Sequence, residues 1–357
     1  MKRIIYISIL LWQAMNIQAQ QLVNSGSLIQ GGLDDGEKLL HAYVTPINKA
    51  IVFGLSDVTY TKIRHEQKRR LLLSIKLAYV GVPKGDFEYN VSRLGLEHIE
   101  AKDPNKVIAQ TVFGDSLKSI QLVSKDTDLL GRPLFEFSTP KGGGKSALPL
   151  PYVGVTYRTK YSNLSLNAIP YVQVPTSDMM VGMLGLSLQQ DLGFFIKALR
   201  DKPFSLSVQA SLSGLYGNSQ LDVKPNAVTV PFAVLTGHTT GPYDDQEINI
   251  FYTSINVGGY ADYTIGKHFT IFAGSSYNMG MSRILVQGTY PIYTKDPSGY
   301  GAVVGEDIKD PIDMEDNFSR MKFELGARAD WDRFFLQLNY NIADYGGVGL
   351  NLGYKMF

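Results

Sequence analysis

Met321-Lys322-Phe323-Glu324-Leu325-Gly326-Ala327-Arg328-Ala329-Asp330 alternates apolar with charged or glycine residues without a break, then Trp331-Asp332-Arg333 intervenes. Phe334-Phe335-Leu336-Gln337-Leu338-Asn339-Tyr340-Asn341-Ile342 resumes the alternation, with the even positions apolar. Successive side chains of a strand point to opposite faces, so each run has one apolar and one polar face. A helix would scatter charges recurring every second residue round its circumference. The stretch therefore reads as two antiparallel strands joined by a tight turn, and its polar face carries full charges.

The same period governs Phe204-Ser205-Leu206-Ser207-Val208-Gln209-Ala210-Ser211-Leu212-Ser213, where every even residue is apolar. Leu71, Leu73, Ile75, Leu77 and Tyr79 alternate with Leu72, Ser74, Lys76 and Ala78. Val153, Val155 and Tyr157 oppose Thr156, Arg158 and Lys160, and Leu164 and Leu166 follow Tyr161-Ser162-Asn163 as the return arm of a hairpin. Further candidates begin near Phe87, Val112, Val181, Val228, Ile248, Phe269 and Ile284, and a last strand starts near Gly347. The count comes to about 12–14 strands, within the range of membrane barrels. Strands with lipid on one face and water on the other belong in a closed sheet, because only helices and closed barrels satisfy every backbone group in a bilayer. The expected fold is all-β: a transmembrane antiparallel up-and-down β-barrel over residues 51–357, set in a bacterial outer membrane.

Composition agrees. The 357 residues include 35 Gly, 21 Tyr and 17 Phe, the mixture of turns and interfacial aromatics that barrels use. The net charge of +1 speaks against a nucleic-acid partner. With no cysteine, disulfides, thiolate-held metals and a thiol nucleophile are excluded. Met1-Lys2-Arg3, the apolar run 4–12 and the small residues to Ala19 have the order of a secretory signal, assigned to residues 1–19. That run is too short to cross a bilayer as a helix.

Between leader and barrel, residues 20–50 form a separate segment. Asp34 and Asp35 open it, Leu39, Leu40 and Tyr43 give it an apolar stripe, and Pro46 stops it, which predicts a short helix. Placed at the periplasmic mouth, the helix either plugs the lumen as a hatch or packs beneath the rim. Two long irregular stretches, about 217–247 and 289–319, are expected as external loops, since outer-membrane barrels keep their periplasmic turns short.

The short Asp-rich helix with Ala42-Tyr43 and Pro46, Thr111-Val112-Phe113-Gly114-Asp115, Leu148-Pro149-Leu150-Pro151 and the terminal Gly353-Tyr354-Lys355-Met356-Phe357 together resemble an uncharacterised family of outer-membrane barrels from Bacteroidota. The layout is more distantly similar to FadL-type transporters, which implies an N-terminal hatch and passage of hydrophobic molecules. Phe357 departs from the usual ending, because Val348, Leu350, Leu352, Tyr354 and Met356 hold the opposite parity.

The candidate lumen-lining residues are Lys76, Arg158, Lys160, Lys322, Glu324, Arg328 and Asp330, able to select a solute, anchor a plug or pair with one another. The acidic run Asp307, Asp310, Asp313, Glu315 and Asp316 reads as a solvated loop, since its spacing does not match a calcium-binding loop. The five histidines show no metal-ligand spacing, and no serine–histidine pair stands out from the abundant serines. No cofactor, metal or catalytic residue is expected. The functional expectation is a channel or transporter for small solutes, hydrophobic ones included. The alternative is a closed scaffold that meets an outer-membrane protein partner through Phe232, Tyr243, Tyr290 and Tyr293.

Overall fold

The computed structural model describes residues 33–63, 70–127, 131–133, 136–174, 178–200, 202–223, 235–236, 240–295 and 303–356. The expected leader, Val228, Phe232 and Phe357 lie outside them.

Helix α1 (Leu33–Gly54) precedes ten barrel strands: β1 (Leu71–Gly81), β2 (Ala147–Arg158), β3 (Ser162–Gln173), β4 (Met180–Asp191), β5 (Phe204–Gln220), β6 (Glu247–Ile265), β7 (Phe269–Gln287), β8 (Ile312–Asp330), β9 (Phe334–Ile342) and β10 (Gly347–Lys355). Each strand pairs antiparallel with its successor, and β10 returns to β1 with Val348 opposite Tyr79 and Leu352 opposite Ile75. The sheet is closed, with no edge left to pair with another chain.

The barrel is the expected one, with ten strands rather than 12–14. Phe87 and Val112 lie in the excursion 82–146, which makes small sheets of its own, and Phe269 and Ile284 belong to the single strand β7. The long gaps are partly ordered too. Strands Thr289–Lys295 and Val303–Lys309 pair as a hairpin outside the barrel, and β8 has already begun at Ile312.

The wall is uneven. Strands β6, β7 and β8 have 19 residues each, whereas β9 and β10 have nine. Along the tall strands period two persists but its sign reverses. On β8, outward Met321, Phe323 and Leu325 are exposed and apolar, while inward Lys322, Glu324 and Arg328 are buried. Nearer the start of that strand the outward residues become Asp313, Glu315, Asn317 and Ser319, and the inward ones Ile312, Met314 and Phe318. β6 repeats this, with inward Ile248, Ile250 and Tyr252 giving way to Ser254, Asn256 and Asp262.

Lipid thus bathes the lower wall and water the upper. The outward apolar stretch 321–329 matches the roughly 9–11 residues a tilted strand needs to cross a bilayer. Outward Tyr171, Tyr216 and Phe251 lie in a row near the reversal, with ring centroids 6.0 and 5.0 Å apart, as an interfacial aromatic belt does. The closed barrel and its lipid-facing band make the chain an outer-membrane protein.

Candidate functional site

Inside the barrel runs the chain's own N-terminal segment. α1 lies at the mouth bearing the long connections, between the tall wall and the excursion 82–146. Leu39, Leu40, Tyr43, Val44, Ile47 and Ala50 are at most 2% exposed and share one apolar core with Ile248, Ile250, Ile284 and Val286 of the wall and Val112 and Phe113 of the excursion. Burial of this stripe carries the helix through Pro46 to Gly54, although proline removes one backbone donor. The predicted stop at Pro46 is therefore corrected, and so is the end of the segment at residue 50.

The predicted hatch residues divide. Asp34 is exposed. Asp35 is buried, and its carboxylate accepts from the backbone N–H groups of Glu97, His98 and Ile99 at 2.8, 2.8 and 3.0 Å, pinning the start of α1 to the excursion. Leu39 and Leu40 form the core stripe, the Tyr43 hydroxyl donates to the carbonyl of Lys141 at 3.1 Å, and Pro46 is buried. The helix thus lies at the mouth with the long connections, not at the mouth with the short turns where it was expected.

Beyond Gly54 the chain continues as a thread through the polar part of the lumen. The Ser213 hydroxyl donates to the Leu55 carbonyl at 3.3 Å. Asp57 then crosses to the opposite wall. Its carboxylate is 2.5 Å from Arg320 Nη2 and 3.3 Å from Lys322 Nζ, and its carbonyl accepts from Asn339 at 3.0 Å. Lys322 also lies 3.5 Å from Glu324.

Tyr60 stacks on Phe272 with centroids 4.0 Å apart and donates to Asp262 at 2.9 Å. Thr61 N–H donates to Gln189 Oε1 at 3.3 Å. Lys62 lies 3.9 Å from Asp330 at the far end, where Arg328 makes two 3.0 Å bonds to the same carboxylate and Lys355 approaches to 2.8 Å. β1 starts nine residues later at that same mouth.

Of the predicted lumen residues, Lys322, Glu324, Arg328 and Asp330 converge on this thread. Lys76 faces inward and donates to Asn167 at 2.9 Å, and Arg158 is buried. Lys160 is corrected: it sits exposed in the turn between β2 and β3, its ammonium 5.1 Å from the Tyr161 ring. Sequence reasoning missed Asp57, Tyr60 and Lys62, because an aperiodic stretch of nine residues carries no pattern to mark it as lumen filling.

The acidic run is also more structured than a solvated loop. Asp316 is 2.7 Å from His41 of α1, and Asp313 bonds Arg283 on the outer face. Desolvation opposes ionisation of Asp307, but donors from Tyr243, Thr240 and Gly241 outweigh it and hold its carboxyl below the usual carboxylate range.

Side chains of residues 55–62 thus meet the polar inner wall from one mouth to the other. Several inward amides, both polar atoms of Gln209 and of Asn256 among them, have no hydrogen-bond partner among the described residues. Buried groups left unpaired cost about 1–3 kcal/mol each.

Among curated proteins, none matches this chain. Among solved structures it is similar to the KdgM porin, at 13% identity and TM-score 0.26 over 58% of this chain and 92% of that one. It is also similar to the outer-membrane protease OmpT of Escherichia coli (8% identity, TM-score 0.29, 82% of this chain and 96% of that one). A third likeness is to the toluene transporter TodX of Pseudomonas putida (8%, 0.26, 81% and 68%). Values this low say nothing about activity. A family model does cover the chain almost end to end, at residues 1–356. The chain therefore belongs to the family of unknown function DUF6588.

Proposed function

We propose that this protein is a gated outer-membrane channel for small solutes, with residues 33–63 as its hatch. The observation that carries the reading is the thread itself: a separate N-terminal segment occupies a charged lumen and is fastened to it by ion pairs at Asp57 and Lys62. A lumen lined by amides, hydroxyls and charges favours polar over hydrophobic cargo. The layout of a hatch ahead of a barrel is also what supports the likeness to FadL-type transporters.

Liposome swelling with sugars and amino acids tests this. Intact protein should pass little, and a variant lacking residues 33–63 should pass solutes freely. A deletion variant that still shows the heat-modifiable electrophoretic mobility of a folded barrel, yet passes nothing, would sink the channel.

The shared apolar core of α1 and the excursion favours a second reading, a permanently closed scaffold. Tyr290 is fully buried and Tyr243 is tied to Asp307, so neither is the free contact point expected of it. In this reading the partner surface is the water-facing upper wall, and crosslinking in intact cells should capture one reproducible outer-membrane protein.

A further inference from the structure

At the short-turn mouth, the connection after β4 stands apart from the other three. The turns following β2, β6 and β8 are three residues each, at 159–161, 266–268 and 331–333. The one after β4 instead builds two short helical turns, Leu192–Phe194 and Lys197–Leu199. Between them Phe194, Phe195 and Ile196 project outward, and Phe195 is 68% exposed.

This knob is held in shape. Arg200 donates from Nε to the Gly193 carbonyl and from Nη2 to the Phe194 carbonyl, both at 2.8 Å. Its guanidinium lies 5.7 Å from the Tyr161 ring, and the Phe194 ring meets Tyr161 edge-on at 5.6 Å. Lys160 stands over the same ring from the neighbouring turn. Lys160, Lys197 and Arg200 are exposed and make no ion pair among the described residues.

Three adjoining apolar side chains thrust into water would be costly on a soluble surface. Here they continue the lipid-facing band of β3, β4 and β5, whose Leu164, Leu188 and Val208 are exposed and apolar. Cations beside interfacial aromatics match the phosphate level of a leaflet. We infer that this sector of the rim is a binding site for anionic phospholipid: Phe194, Phe195 and Ile196 enter the acyl region, while Lys160, Lys197 and Arg200 hold the headgroup charge. Charge complementarity chooses the lipid class, and continuity with the apolar band chooses a membrane over a protein partner.

Quenching by brominated lipid tests the site in the full chain. Both native tryptophans are replaced by Phe, and Phe195→Trp supplies the sole reporter. In vesicles of equal phosphatidylglycerol and phosphatidylcholine, brominating only the former should quench more strongly than brominating only the latter. We expect a relative affinity of about fivefold or more, given roughly 1 kcal/mol per cation near an anionic surface. Salt should weaken that preference, and Lys160→Gln with Lys197→Gln should lower it severalfold, leaving quenching in wholly brominated phosphatidylcholine unchanged. The pair of substitutions spares the Arg200 bonds that shape the knob. Equal quenching by the two labelled lipids would overturn headgroup recognition. Absence of quenching by either would place the knob in water, where it would fit a soluble protein.

Discussion

Asp57 is the residue on which the hatch depends, because its carboxylate is the anion that Arg320 and Lys322 share deep in the lumen. Removing one partner of a buried ion pair strands the others, at a cost of about 3–5 kcal/mol. Asp57→Ala should therefore release the thread while the barrel stays folded, seen as protease sensitivity within 55–63 against an unchanged heat-modifiable mobility. At the surface, Asp307 should titrate below the ordinary 3.8. A depressed folded-state pKa means its contacts stabilise above pH 3.8 and are lost as the pH falls through the lower folded value. Carboxyl NMR of Asp307 would give the midpoint, and a value above 3.8 would refute the hydrogen-bonded arrangement. Some residue-scale facts were legible beforehand, such as the inward aim of Lys322 and Arg328 from parity alone. The partners were not. Inward Tyr260, Phe272 and Phe335 each lie over a cross-strand glycine, Gly274, Gly326 and Gly353, where a Cβ would come within 2.2 Å of the ring. A glycine opposite an inward aromatic becomes visible only once the register is known.

The strands show which part of a pattern a sequence carries. Alternation identified β1, β2, β5, β8, β9 and β10, since each crosses lipid with water behind it. It overcounted where short apolar runs, at Phe87 and Val112, pack in the excursion against α1. It also hid the membrane boundary, because period two continues unbroken through the reversal on β8 while the sign of each face changes. The boundary makes a sharp prediction along one strand face. Leu325→Arg, on the lipid side, should cost about 2–4 kcal/mol of barrel stability, whereas Asn317→Arg, eight residues nearer the long connections, should cost next to nothing. Urea titration of the two variants in the same vesicles checks it, and equal penalties would erase the boundary. For α1, the apolar stripe was readable but its length was not: proline usually ends a helix, and only tertiary burial of Ile47, Ala50 and Ile51 explains why this one goes on.

For the whole molecule, the telling feature is the direction of the thread. It enters at the mouth of the long connections and leaves at the mouth where β1 begins and β10 ends, so α1 and the start of β1 lie at opposite mouths. A helix with side chains is about 10–12 Å across and could not be drawn through a lumen already closed and packed. The seam between β1 and β10 is then expected to zip last, with the N-terminal segment laid against β6–β8 while the sheet is still open. The hatch is in this sense a mandrel around which the cylinder is rolled. Cysteine pairs would time the two events during assembly. One at His41 and Asp316 should crosslink before one at Ile75 and Leu352 does, and the reverse order would mean that the barrel closes first and swallows its stopper afterwards.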